Sequence, residues 1–146
     1  MSAQWSWAEG EGRLPTWLPR TRTVSIPCGL HFQAIRVPAP WAKDTHNALG
    51  PHSGGVLAND LSGTWVFLLD LGAVAPGSWN LHGTRLVRER TAVEVPPAYV
   101  VAGRDVRWAV RPGQGTTTVK ALTAALAARP GASRTPVGGR QRRARS

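Results

Sequence analysis

The sequence predicts an α+β fold: one domain built on a mixed, largely antiparallel sheet with about two packed helices and a disordered basic C-terminal tail. Three observations carry this. The 146 residues suffice for one compact domain and leave little room for a second. Sixteen Gly and twelve Pro exceed average usage, which favours a loop-rich domain over a helical bundle or coiled coil. Short runs rich in β-branched and aromatic residues recur between turn signals, whereas only two segments show helical spacing.

In chain order, residues 1–20 read as an extended arm carrying Trp5, Trp7 and Trp17 among Glu9, Glu11, glycines and prolines, with no period. Two readings stay open for it: a docking segment whose Trp residues fill a partner's pockets, or packing on the body of the same domain. Residues 21–129 form the α+β domain. Strands are predicted at Thr21–Ile26, Leu30–Val37, Gly55–Ala58, Thr64–Leu71, Leu81–Val87, Thr91–Val95 and Val106–Val110. Pro27, Gly29, Pro38, Asn59-Asp60, Ser62-Gly63, Pro76-Gly77 and Pro112-Gly113 stop them. The unbroken apolar run Trp65–Leu69 suits a strand covered on both faces. Pro40–Leu49 reads as a short helix, with Pro in the tolerated first turn and Gly50 behind it. Thr118–Ala128 reads as a second, with Thr residues as N-caps, Val119, Leu122 and Leu126 at helical spacing, and Pro130-Gly131 beyond its end. Residues 130–146 offer a single Val to offset the entropy of ordering, so they are expected to be disordered.

The formal charge is +10, from 18 Lys and Arg against 8 Asp and Glu. Six of the Arg lie in residues 129–146, so the folded part is only mildly basic. The lone Cys28 cannot form an internal disulfide, and no run approaches the length of a transmembrane helix or a secretion signal. These features predict a cytoplasmic protein with no membrane partner.

Local signatures for catalysis are sparse. Ser53 lies in Gly50-Pro51-His52-Ser53-Gly54, whose glycine spacing is wrong for a nucleophile elbow. Cys28, between Pro27 and Gly29, reads as a small apolar filler. His31, His46, His52 and His82 do not pair at metal-ligand spacing, so neither a metal nor another cofactor is implied by the residues alone. Gly113-Gln114-Gly115 ahead of a helix has some ingredients of an anion site but lacks the ending of a P-loop. Arg140, Arg142, Arg143 and Arg145 are suited to bind phosphates of DNA or RNA without a folded frame, or to serve only as a solvated basic end.

Across His31-Phe32-Gln33-Ala34-Ile35-Arg36-Val37-Pro38, Ala48-Leu49-Gly50, Gly63-Thr64-Trp65-Val66-Phe67-Leu68-Leu69, Trp79-Asn80-Leu81, Ala92-Val93-Glu94-Val95-Pro96-Pro97 and Val106-Arg107-Trp108, the chain resembles the bifunctional DNA primase/polymerase N-terminal domain, in a short divergent form. The likeness covers about residues 30–112 and rests on the order of strand-plus-proline motifs. It implies an archaeo-eukaryotic primase type of fold, with a sheet like that of the RNA-recognition motif and helices packed on it. It also implies a family chemistry of metal-assisted nucleotidyl transfer. The positions of the family's metal-binding acids carry other residues here. Gln33 and Arg36 fall where an acidic pair would stand, Trp65 replaces a His, and Asn80 replaces a third acid, whereas Pro96-Pro97 matches. An Arg in place of a carboxylate repels a divalent cation.

The expectation is therefore a non-catalytic relative with weak nucleic-acid or nucleotide binding through Arg36, Arg107, Arg111 and the Arg tail, and with a remnant pocket at Gln33, Trp65, Asn80, Pro96 and Pro97. The alternatives are a protein-interaction or regulatory adaptor, with the Trp arm contacting a partner, and a residual metal-dependent nucleotidyltransferase.

Overall fold

The computed structural model describes residues 14–75, 77–112 and 116–128. Trp5, Trp7, Pro76, Gly113-Gln114-Gly115 and the Arg tail, each singled out above, lie outside the described residues. The elements run β1 (Val24–Pro27), β2 (Gln33–Pro38), α1 (Ala39–Leu49), β3 (Val56–Asn59), β4 (Thr64–Leu69), β5 (Arg85–Leu86), β6 (Ala92–Val95), β7 (Val106–Val110) and α2 (Val119–Ala128).

Strands β5-β2-β4-β3-β7 form a five-stranded sheet in that order, and β1 pairs with β6 in a separate ribbon; every pairing is antiparallel. The α+β fold expected from the sequence is the one observed. Side chains alternate across the sheet, so each central strand feeds two apolar layers. On one face Ile35, Val37, Phe67 and Leu69 pack under α1 and α2, which contribute Ala42, Leu49, Leu122 and Leu126. On the other, Ala34, Leu57, Val66, Leu68 and Trp108 pack under the ribbon, through Ile26, Val93 and Val95. The five consecutive apolar residues of β4 are buried for this reason.

Local chemistry sets the element ends. Asn59 Oδ1 accepts the backbone N–H groups of Leu61 (3.0 Å) and Ser62 (3.1 Å), which closes the β3–β4 hairpin. The Ala39 N–H, one of the orphan donors of the first turn of α1, finds the Gly63 carbonyl of that hairpin at 2.9 Å, and Pro40 has no N–H to satisfy. Thr118 Oγ1 accepts the Ala121 N–H at 3.1 Å and caps α2. No helix among the described residues is long and apolar enough to cross a membrane.

The structure corrects several sequence-based boundaries. Leu18 is buried in the layer beneath the ribbon and Trp17 packs against it, 5.2 Å from the Phe32 ring, so the folded body starts before residue 21. For Trp17 the self-packing reading is the one observed. Leu30 and His31 belong to a turn, because Gly29 adopts a φ of 95° and donates to the Phe32 carbonyl. The predicted strand Leu81–Val87 contracts to Arg85–Leu86: Thr84 Oγ1 and N–H both fold back onto the Leu81 carbonyl, and Gly83 takes a φ of 83°.

Candidate functional site

Residues 70–84 leave the central strand β4 and return to the sheet at β5, its outer edge. Gln33 pins this segment in both directions. Its Nε2 donates to the Val74 carbonyl at 3.0 Å and its Oε1 accepts the Val74 N–H at 2.7 Å. Further along, Trp79 Nε1 donates to Thr84 Oγ1 at 2.8 Å. Gly83 packs closely against the Trp41 ring of α1, where a Cβ would collide with it. Between this segment and β5 opens a cavity of about 530 Å³, with Trp79, Thr84, Arg85, Arg88 and Glu89 in its walls.

Arg85 stands directly opposite Arg36 in the β2–β5 register, and directly opposed residues share a face of the sheet. Arg36 is half-buried and lines a smaller groove of about 150 Å³ between the sheet and β6, with Glu94 on its far side. Glu94 is engaged elsewhere, accepting a hydrogen bond from Ser25 Oγ. Like charges directly across a strand pair are unfavourable unless an anion lies between them. Among the described residues the only ion pair is Arg107–Asp60 at 2.6 Å, so neither Arg36 nor Arg85 is matched to a carboxylate.

Cys28 lines the same cavity. Its Sγ faces the carbonyls of Phe32 (3.8 Å) and Val87 (3.6 Å). Burial pushes its thiol pKa up, the backbone N–H of Ala34 opposes this, and the Glu89 charge adds to the rise. The filler role expected of Cys28 agrees with this environment.

The remaining predicted residues do not assemble. Gln33 pairs with Leu69 and Trp65 with Val37, so the two share a face but lie four residues apart along the strand, about 13 Å. Trp65 is buried with its ring 6.3 Å from that of His46 on α1. Asn80 is exposed, and Pro96 and Pro97 lie buried beyond the opposite face, where the Pro96 carbonyl accepts Trp108 Nε1 at 2.9 Å. The remnant pocket expected from these five residues is thus dispersed by strand alternation and register. Arg107 Nη1 is paired with Asp60, which offsets its charge. Its strand β7 lies three strand spacings from Arg36, about 14 Å, and exposed Arg111 follows on that same far side. Arg36, Arg107 and Arg111 therefore do not form one patch.

A divalent cation does not fit at the positions where the resembled family holds one. The Gln33 amide is neutral and is oriented by its two bonds to Val74, and Arg36 brings a positive charge. Among the described residues no three His, Cys, Asp or Glu side chains gather as a metal-binding group.

Sequence reasoning missed Trp79, Arg85 and Arg88 as site residues. The signal was Arg85-Leu86-Val87-Arg88-Glu89-Arg90, three guanidinium groups in six residues. No protein-family model, no curated protein and no solved structure matches this chain.

Proposed function

We propose that the chain is a non-catalytic nucleic-acid-binding domain related to primase/polymerase domains, which grips phosphates at the β5 edge. The carrying observation is the opposed pair Arg36 and Arg85, neither of them matched to a carboxylate. A phosphate bridging two guanidiniums converts an unfavourable contact into two charge-assisted hydrogen-bonding interactions. The strand order supports the kinship: β2-α1-β3-β4-β5 follows the β-α-β-β-(α)-β sequence of ferredoxin-like sheets, with residues 70–84 in place of the second helix. RNA-recognition sheets stack bases on an exposed face, but here the face opposite the helices lies under the β1–β6 ribbon. Contact with nucleic acid is therefore limited to the rim, and it reads phosphates rather than sequence.

Fluorescence anisotropy of labelled single-stranded DNA over a salt series tests this. Each phosphate contact contributes about 0.7 to the log–log slope, so replacing both Arg36 and Arg85, which share one phosphate, with Ala should flatten it by about 0.7. A parallel chain ending at Arg129 separates the tail's share. A slope unchanged by the double substitution would sink the reading.

One observation favours the adaptor reading instead. Leu14 and Tyr99 are exposed beside a groove of about 280 Å³ that Pro97 also lines. A nuclease-resistant, stoichiometric protein complex that Tyr99→Ser dissolves would favour it.

A further inference from the structure

The cavity beside β5 stands apart from the phosphate grip, because Arg36 does not line it, although the two share Arg85. We infer that it is a small-molecule site for a planar aromatic ring bearing one anionic group. Four features point there. Its volume, about 530 Å³, falls within the ordinary range of small-molecule sites, far above what packing defects leave. Val74, Leu86 and Val87 give it an apolar lining, and Trp79 supplies an indole fixed by its bond to Thr84, a platform for a flat ring.

The charges define the other end of the ligand. Arg85 and Arg88 outnumber Glu89 in the walls, and none of the three is within ion-pair distance of another. The two guanidiniums call for a carboxylate or phosphate. Glu89 disfavours a second anionic group and accepts a donor on the ring. The Gln33 amide is held in place by Val74 through one hydrogen bond at each of its polar atoms, which leaves its second N–H as a neutral donor on the cavity wall. The same clamp, together with the Gly83–Trp41 contact, holds the wall in place before any ligand arrives, which lowers the ordering cost of binding.

A nucleoside monophosphate and an aromatic carboxylate share this chemistry, and calorimetric titration of the full chain distinguishes them. The probes are adenosine monophosphate and indole-3-acetate, with adenosine lacking the charge and ribose 5-phosphate lacking the ring. At least one ring-bearing anion should bind, and the counterparts that lack charge or ring should bind about tenfold more weakly or not at all. Arg88→Gln, at an exposed position where folding is not at stake, should weaken the favoured probe about tenfold. Trp79→Phe, which retains a smaller ring, should weaken it severalfold, and Arg36→Ala should leave it unchanged while weakening oligonucleotide binding. The inference is overturned if neither anion binds at millimolar concentration, if adenosine or ribose 5-phosphate binds as well as the ring-bearing anions, or if Arg88→Gln and Trp79→Phe both leave the affinity intact. Loss of oligonucleotide binding with retained probe binding separates failure of the phosphate grip from failure of this site.

Discussion

Replacing Gly83 with Ala should destabilise the protein through two separable effects. At a φ of 83° a β-carbon is strained, a cost of about 1–2 kcal/mol. In addition, that carbon would fall well inside 3.0 Å of Cζ3 and Cη2 of Trp41, a ring packed against the helical layer. Relieving such an overlap in a packed layer costs about 1–3 kcal/mol more, so the total is about 3 kcal/mol. For a chain of this size that lowers Tm by about 9 °C. Gly72→Ala is the internal control. Its φ is 77° and no atom lies within 4 Å of the added carbon, so it carries the strain without the collision. Urea denaturation of both variants, with Trp41→Leu added to each, completes the comparison. The Leu substitution should recover stability only in the Gly83→Ala background. If Gly83→Ala costs no more than Gly72→Ala, the close approach of residues 70–84 to α1 is wrong, and the cavity wall argued from it falls as well.

Three further outcomes are expected. Gln33→Leu should cost about 2 kcal/mol in urea denaturation, because it strands the N–H and carbonyl of Val74, and a cost near zero would show that the clamp is dispensable. Cys28 should resist thiol-specific reagents in the native protein and react once the chain is unfolded, since it is buried and its pKa is raised; fast native labelling would contradict this. Burial lowers the His31 pKa below its ordinary value of 6.5, so the unfolded chain takes up the proton first as pH falls. His31 therefore contributes stability that is full above about pH 6.5 and lost as pH drops through its lower folded value. His31→Phe, which keeps a ring stacked on Trp17, should reduce the fall in Tm between about pH 7.5 and pH 5, and an unaltered fall would refute the assignment.

Where local chemistry decides structure, the sequence was readable. The predicted bounds of β7 are those observed, the two-sided burial of β4 follows from five apolar residues in a row, and a Thr cap does start α2. Errors arose where a distant contact overrides local preference. Leu81 to Thr84 carry strand-like neighbours, yet the hydrogen bonds of Thr84 and the docking of Gly83 on Trp41 turn the chain away from the sheet until Arg85. The site followed the same rule. Arg36 could be picked out as a misplaced charge on a strand, but its relation to Arg85 exists only in the register of β2 with β5. The cavity wall at Trp79 depends on Gln33 reaching 41 residues along the chain to Val74.

The ribbon that covers the sheet also bears on how the chain reaches its native state. Val24 pairs with Val95 and Pro27 with Ala92, so β1 emerges from synthesis long before its partner exists. At about 5–20 residues per second the interval is about 3–14 s, during which the apolar residues of β2, β3 and β4 lack the cover that β6 supplies on that face. Closing so large a loop comes late and adds to contact order, which predicts slow folding for so small a protein. The final step would be the docking of a strand that was made first.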